Sequence, residues 1–195
     1  MKQPITIFWF RRDLRLHDNA GLYHALKIGV PVLPVFIFDT DILGDLKDKA
    51  DKRLDFIHRT LKQMQANLEQ QGSTMHVFHG KPLDCFKQVT DTYSVTAVYT
   101  NHDYEPYAQQ RDESVRTYLD AKGIAFHTFK DQVIFEKGEV VKDNGEPYTV
   151  YTPYSKKWKE KLNDFYLSAY PVQKYEQHFL KTQPIAMPTL EALGF

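Results

Sequence analysis

Short apolar runs alternate with helix-length amphipathic segments over the first two thirds of this 195-residue chain, and this alternation constrains the fold more than any other feature. Val30–Phe38 is almost purely apolar, which is typical of a strand that a parallel sheet buries on both faces. Lys49–Gln71 is the longest helical segment, because its apolar residues recur every three or four positions and Gly72 follows it. The other predicted strands are Pro4–Phe10, Thr74–Phe78, Val95–Thr100 and Ile124–Phe129, and the other predicted helices are His17–Ile28, Pro82–Thr92 and Pro106–Ala121.

Five strands joined by helices predict an α/β fold with a doubly wound, five-stranded parallel sheet of order 3-2-1-4-5. Asp18 or Asn19 is expected to cap the first helix, since short polar side chains satisfy the free N–H groups of a helix start. Pro34 lies inside the second strand and cannot donate a hydrogen bond there. We therefore expect it near the start of the strand or at a bulge.

The last third of the chain has a different pattern. Val133–Val141 predicts a small hairpin, and Tyr154–Tyr166 predicts a helix that contains the basic-aromatic run Lys156–Lys161. A contact of this run with nucleic-acid phosphates is one interpretation. The interpretation we prefer is an amphipathic helix with Trp158 packed inward and its lysines in solvent. The following residues contain prolines and few periodic apolar positions, a composition typical of a linker.

Composition excludes several classes of protein. The chain has 25 basic and 25 acidic residues, so any surface that binds nucleic acid through its phosphates would have to be local. The single cysteine, Cys85, excludes a disulfide scaffold and a zinc site built on several thiolates, and we expect it to be a small buried residue. No apolar run approaches the ~18–20 residues that cross a membrane. No signal peptide begins the chain, so we expect a soluble cytoplasmic protein without membrane partners.

The motifs of common enzyme classes are absent from the sequence. There is no glycine-rich phosphate loop, no H-E-x-x-H zinc motif and no G-x-S-x-G nucleophile elbow. We therefore assign no metal site and no catalytic residue to the chain.

Polar residues follow the strands whose carboxyl ends should meet. In this strand order, ligands bind where the order reverses, beyond the ends of the first and fourth strands. The loop after the first strand, Arg11–Arg15, contains three arginines, and the loop Asn101–Pro106 after the fourth contains Asp103 and Glu105. Asp39 ends the second strand. Two interpretations remain open: these charges pair with one another, or they line a binding pocket.

Several segments of the chain carry a recognisable pattern in a fixed order. They are Phe8–Asn19, Val32–Asp39, Asn101–Pro106 followed by Arg111 and Asp112, Gly145–Tyr148, Tyr151–Tyr154 with Trp158, and Thr189–Phe195. They resemble the DNA photolyase/cryptochrome family, in which an N-terminal α/β antenna domain precedes a helical domain that binds FAD and DNA. The resemblance covers essentially the whole chain. It implies that residues 1–154 form the antenna domain and that residues 155–195 form a helix and linker leading to a missing helical domain.

The resemblance also implies a function. The chain is similar to the antenna-chromophore domain of a deoxyribodipyrimidine photolyase, a lyase whose full length repairs pyrimidine dimers by light-driven electron transfer from reduced FAD. FAD and damaged DNA would be bound by the missing domain, and this chain alone is expected to be inactive. One alternative is a cryptochrome-type blue-light photoreceptor. A third is a stand-alone nucleotide-binding α/β module, against which the absent phosphate loop counts.

Antenna domains of the family hold a second chromophore in some members and none in others. The pigment is a deazaflavin, a flavin or a folate. The positions that match antenna contacts are Arg53, Asp103 and Glu105, and Asn101 and Asp39 complete the predicted cofactor-binding set. Asp103 and Glu105 are expected to accept hydrogen bonds from a pigment ring, and Arg53 to offer it a planar cation. The segment after the second strand lacks a clear counterpart of the folate region, which counts against folate.

Overall fold

The apolar runs form one all-parallel sheet in a computed structural model, which describes residues 2–195. Its strands are β1 (Pro4–Phe10), β2 (Val32–Asp39), β3 (His76–Gly80), β4 (Ser94–Asn101) and β5 (Ala125–Phe129). They lie in the order β3-β2-β1-β4-β5, which confirms the predicted doubly wound α/β fold and its strand order. β1 and β2 are buried along almost their whole length, as the apolar composition of both runs requires.

Helices connect the strands, and capping residues set where they begin. The helices are α1 (Ala20–Lys27), α2 (Thr40–Gly44), α3 (Lys52–Gln70), α4 (Pro82–Thr92), α5 (Pro106–Ala121), α6 (Tyr151–Lys161) and α7 (Asp164–Leu167), with 3₁₀ segments at Lys137–Glu139 and Val172–His178. α4 and α5 have the predicted bounds. α1 and α3 begin three residues later than predicted, because Asn19 and Asp51 accept hydrogen bonds from Leu22 N and Arg53 N.

The two faces of the sheet carry separate cores. Phe8, Phe10, Phe36 and Phe38 pack with α1 and α3 on one face. Trp9 and its neighbours on the opposite face pack with α4 and α5. This division follows from the period of two along a strand, which sends successive side chains to opposite faces.

Pro34 lies near the start of β2, which confirms the first of the two predicted alternatives. It is the third residue of the strand and pairs with Phe8 of β1. β3 begins to pair only at the next position, where Val35 faces His76. The missing N–H of Pro34 therefore lies ahead of the ladder between β2 and β3.

The predicted hairpin over Val133–Val141 is wrong. Within residues 2–195 this segment contains a single 3₁₀ turn and no strand. The side chains of Glu136 and Glu139 each accept a hydrogen bond from the other's backbone, which closes the turn. Lys130 Nζ lies 2.8 Å from a Glu139 oxygen and fixes the turn to the residues that follow β5. Local capping thus replaces cross-strand pairing.

The predicted helix Tyr154–Tyr166 is divided in two. α6 ends at Lys161, and Asn163 begins α7 by accepting a hydrogen bond from Phe165 N. Trp158 is half-buried and packs edge-to-face on Phe135, with 5.5 Å between ring centroids, which confirms its inward orientation. The lysines of α6 are exposed except for Lys161.

The proline-containing C-terminal segment packs against the sheet instead of extending away from it. Leu180 N donates to Val32 O at 2.8 Å, so the segment continues the edge of β2 ahead of β3. Val172, Phe179 and Leu193 are buried in the core beside α1 and α3. The composition thus predicts the absence of long helices here but not this packing.

A candidate ligand cavity at the carboxyl edge of the sheet

A cavity of about 240 Å³ opens beyond the carboxyl ends of β1 and β2. Its walls are largely apolar side chains of β2, α2 and α3, and Trp9 of β1 also lines it. The polar lining consists of Arg11, Arg12, Asp39, Asp103, Glu105, Tyr107 and Arg111. Small-molecule pockets usually measure ~300–1,000 Å³, so this cavity has room for a fused ring but not for a whole dinucleotide.

Trp9 lies beneath two arginines. The indole is 2% exposed, and the guanidinium carbons of Arg11 and Arg111 lie 5.1 and 4.9 Å from its ring centroid. Both guanidiniums also pair with Asp112, at 2.5 Å from Arg11 and 3.0 Å from Arg111. Burial lowers the pKa of Arg11, and the ion pair with Asp112 opposes that shift. The indole is therefore held against two buried cations by an ion-pair network.

An ion pair joins the loops after β1 and β4 at the cavity mouth. Arg12 Nη2 lies 2.6 Å from Glu105 Oε2, and Arg12 Nε lies 3.6 Å from Asp103 Oδ2. The side chains of Arg12 and Glu105 are half exposed, whereas that of Asp103 is 6% exposed. The hydrogen bond with Glu105 raises the pKa of Arg12. The structure is therefore compatible with both interpretations of these charges, because the charged groups pair with one another and also line the cavity.

Asp39 and Tyr107 meet on the other side of the cavity. The Tyr107 hydroxyl donates to Asp39 Oδ2 at 2.6 Å, and Asp39 Oδ1 accepts from Asp41 N at the start of α2. Burial raises the pKa of Tyr107, and the hydrogen bond to Asp39 adds to the shift. Tyr107 is absent from the predicted set. Its position in the first turn after the Asp103–Glu105 loop is the signal that would have found it.

Two predicted cofactor-binding residues lie outside this cavity. Arg53 has a side chain that is 77% exposed and pairs with Asp51 at 2.6 Å. Asn101 is 2% exposed and accepts from Gly21 N at 2.8 Å. Of the five predicted residues, the cavity brings together Asp39, Asp103 and Glu105, and it leaves out Arg53 and Asn101.

The crevice between β1 and β4 is filled by the chain's own polar groups. Asp131 Oδ1 accepts from Ala20 N at 2.8 Å, and its carboxylate pairs with Arg15. Asn101 donates to Asp13 Oδ2 at 2.5 Å and to Asn19 Oδ1 at 2.9 Å. In many α/β proteins the corresponding helix N-terminus receives a phosphate. Here a carboxylate and two amide side chains satisfy that terminus.

Metal-binding clusters and membrane-spanning helices are both absent from residues 2–195. In that part of the chain, no group of three or more His, Cys, Asp or Glu side chains is arranged to hold a metal ion. None of the helices described there is both long enough and apolar enough to cross a membrane. Cys85 is buried as predicted, and burial raises the pKa of its thiol to about 11.

Comparison with known proteins gives consistent matches. The sequence profile described as DNA photolyase matches residues 6–175. A deoxyribodipyrimidine photo-lyase of Synechococcus is 32% identical over 201 residues, which cover 100% of this chain and 41% of the relative. The crystal structure of a bacterial class III photolyase from Agrobacterium tumefaciens superposes with a TM-score of 0.80. The match covers 98% of this chain and 38% of the photolyase chain. Because the two sequences are only 24% identical, this match supports the fold alone.

An archaeal photolyase from Sulfolobus tokodaii, whose crystal structure contains two FAD molecules, is 32% identical with a TM-score of 0.63. The match covers 70% of this chain and 32% of the archaeal one. The chain spans between 34% and 55% of the length of three curated relatives that it matches. Because the profile covers most of the chain and a photo-lyase aligns along all of it, the chain belongs to the DNA photolyase family.

Proposed function

We propose that the chain is the antenna-chromophore domain of a deoxyribodipyrimidine photolyase-like protein and that the cavity beside Trp9 binds the antenna pigment. The cavity carries the proposal, because it combines apolar walls with an aromatic ring and a few polar groups. When bound, such a pigment absorbs light and passes its excitation energy to FAD held elsewhere in the protein. The chain's own task is to bind the ring, orient it and keep water from it.

The donor and acceptor groups of the cavity fit a flavin or deazaflavin ring. Asp39 and Asp103 are buried carboxylates that accept hydrogen bonds from ring N–H groups. Arg12, at the mouth, is the donor suited to a ring carbonyl. The volume of about 240 Å³ has room for a fused ring. The segment after β2, from which Ile42 and Leu43 line the cavity, lacks a clear counterpart of the folate region, so folate is the weaker candidate.

The remaining parts of the reaction belong to the full-length protein in this proposal. A helical domain of the same chain would bind FAD and damaged DNA, and reduced FAD would repair pyrimidine dimers by light-driven electron transfer. The relatives named as photo-lyases are two to three times as long as the aligned part, which supports this division. The chain described here would by itself not repair DNA.

A stand-alone nucleotide-binding module is the less favoured proposal. Its phosphate would have to bind at the N-terminus of α1, where Asp131 accepts from Ala20 N and Asn101 accepts from Gly21 N. A phosphate there would have to displace the buried Asp131 carboxylate from Ala20 N, and the two negative charges would repel each other. This arrangement argues against a nucleotide at that crevice.

A titration with pigments tests the proposal. The purified chain is titrated separately with flavin mononucleotide, a 5-deazaflavin and a folate, and binding is followed by pigment absorption and by quenching of tryptophan fluorescence in a Trp158→Phe background, where Trp9 is the remaining tryptophan. Asp103→Ala is expected to weaken binding by about tenfold, because it removes a charged hydrogen-bond acceptor worth ~1.5 kcal/mol or more. Saturable binding of none of the three pigments would contradict the proposal.

A matched pair of variants locates the pigment. Glu105 and Glu113 are both half-exposed or more, and each pairs with an arginine at 2.6 Å. Glu105→Gln changes the cavity mouth and is expected to weaken binding, whereas Glu113→Gln leaves it unchanged. Arg12 is unsuitable as a control, because it pairs with Glu105 and Asp103. Equal affinities of the two glutamine variants would place the pigment elsewhere.

A further inference from the structure

Trp9 combines two features that matter for any light-absorbing ligand. It lines the cavity, and two buried guanidinium groups lie over its ring. We propose that Arg11 and Arg111 prevent Trp9 from donating an electron to an excited pigment in the cavity. This inference rests on the proposed antenna function and assigns the arginine pair a role within it.

Electron donation from an indole would defeat an antenna. An excited flavin or deazaflavin is an oxidant, and a tryptophan in contact with it is a ready one-electron donor. The transfer would oxidise Trp9 to a radical cation and reduce the pigment by one electron, with no bond formed or broken and the indole proton retained. The excitation would then be lost before it reached a second chromophore.

The electrostatics of the site oppose that transfer. The radical cation would place a positive charge on the ring beneath two cations, at 5.1 and 4.9 Å from its centroid. The side chains of Arg11 and Arg111 are 6% and 9% exposed, so water screens this repulsion weakly. Asp112 pairs with both guanidiniums, and Asp103 lies 3.9 Å from Arg111. These carboxylates hold the cations in place and partly offset them, whereas the guanidiniums are the groups in contact with the ring.

The chain contains a natural comparison for each part of this arrangement. Trp158 is the other tryptophan, and it packs on Phe135 outside the cavity. Arg116 lies on α5 like Arg111, but it is half exposed and pairs with Glu113. Tyr107 is a second candidate electron donor in the cavity lining, and its hydroxyl donates a hydrogen bond to Asp39. Substitution of these residues separates the Trp9 effect from general changes in the site.

The test is the fluorescence lifetime of bound flavin mononucleotide or 5-deazaflavin in the purified chain. Arg111→Gln is expected to shorten that lifetime by about threefold or more, because it removes one of the two cations that oppose a positive charge on the Trp9 ring. Arg111→Lys keeps the charge and is expected to keep the lifetime. Arg116→Gln is the matched control and is expected to leave it unchanged.

Double variants identify the electron donor. Trp9→Phe in the Arg111→Gln background is expected to restore the long lifetime, whereas Trp158→Phe and Tyr107→Phe in that background are not. Should Arg111→Gln fail to fold, Arg11→Gln is the second arm, with the same expected shortening and the same rescue by Trp9→Phe. Circular dichroism and thermal unfolding check folding.

The outcomes separate the two proposals. Pigment that binds to the parent chain and to the arginine variants with equal lifetimes overturns the role of the arginines and leaves the antenna proposal standing. Shortening that Tyr107→Phe rescues and Trp9→Phe does not also overturns it. A parent chain that binds a folate but neither of these two pigments overturns this inference and leaves the antenna proposal standing. A parent chain that binds none of the three pigments overturns both.

Discussion

The crevice between β1 and β4 and the cavity beside β2 lie at the same edge of the sheet, but only one of them is open. In the crevice, Asp13, Asn19 and Asn101 hydrogen-bond to one another and to the start of α1. In the cavity, Arg12 and Glu105 pair across the mouth and leave space behind them. Both regions are rich in polar side chains, so polarity does not decide which one can receive a ligand.

The difference arises from how closely a helix approaches the strand ends. A Cβ at Gly21 in α1 would lie 2.6 Å from Asn101 Oδ1 and 2.8 Å from a ring carbon of Phe8, so the backbone of α1 contacts the sheet there. Beside β2, apolar side chains of α2 and α3 form the walls of a remaining space. The rule that ligands bind where strand order reverses therefore locates the edge of the sheet, and helix packing decides that the cavity beside β2, not the crevice between β1 and β4, stays open.

The largest expected effect is in the closed crevice. Asn101→Ala removes the acceptor of Gly21 N and the donor to Asp13 and Asn19, all in buried positions. We expect a loss of about 3 kcal/mol in unfolding free energy, measured by urea denaturation, because buried polar groups lose their partners. Asn144→Ala in an exposed turn is the control, with a loss under ~0.5 kcal/mol. A similar small loss for both variants would break the comparison.

A second expected effect concerns the carboxylate at the α1 N-terminus. Asp131→Ala removes the acceptor of Ala20 N and the partner of Arg15, and we expect it to cost about 1–2 kcal/mol in unfolding free energy at pH 7. Asp131→Asn retains an oxygen acceptor and is expected to keep the parent stability. An Asn variant as unstable as the Ala variant would show that the negative charge itself is required.

The pH dependence of the same residue gives an independent check. Burial raises the pKa of Asp131, and the Ala20 N–H and Arg15 only partly oppose the shift. A carboxyl group with a raised pKa stabilises the folded chain below its ordinary value of 3.8, and this contribution is lost as the pH rises through the folded pKa. The unfolding free energy of the parent relative to Asp131→Asn is therefore expected to increase as the pH falls towards 3.8. A difference that decreases on acidification would mean that the ion pair with Arg15 dominates.

A third and smaller effect is expected in the open cavity. Tyr107→Phe removes the hydroxyl that donates to Asp39. Because water can reach the carboxylate from the cavity, we expect a loss of only about 1 kcal/mol in unfolding free energy. Tyr118→Phe on the same helix is the control, since its hydroxyl hydrogen-bonds the neutral Thr90 side chain outside the cavity. A loss for Tyr107→Phe as large as that for Asn101→Ala would show that the cavity region is as tightly built as the crevice.

Most of the sheet is predictable from the sequence, because its strands are short apolar runs separated by helices of clear period. The starts of α1 at Ala20 and of α3 at Lys52 are less predictable from the sequence, since a single capping side chain fixes each of them. The segment Val133–Val141 misleads, because its apolar residues have the spacing of a hairpin while Glu136 and Glu139 satisfy the backbone locally. Local capping of this kind leaves only a weak trace in the hydrophobic pattern.

The candidate site is predictable in its loops but not in its partners. The positions of Asp39, Asp103 and Glu105 at strand ends follow from topology alone. The contact of Tyr107 with Asp39 depends on where the first turn of α5 lies relative to the end of β2, and no local sequence pattern specifies that position. Asn101 illustrates the opposite case, because a polar residue at a strand end can face a helix backbone instead of a ligand.

The smallest expected effect is the coupling between the two side chains that join across the cavity mouth. Arg12 and Glu105 are each about half exposed, so solvent screens their attraction, and a double-mutant cycle is expected to give a coupling under ~1 kcal/mol. The cycle for Arg116 and Glu113, which share the same distance and a similar exposure on the surface of α5, is expected to give the same small value. Both cycles are measured by urea denaturation at low and high salt. A coupling for Arg12 and Glu105 that clearly exceeds the surface pair and persists in high salt would mean that the mouth is a rigid part of the fold. A coupling that matches the surface pair means that the mouth opens at little cost and admits a ring.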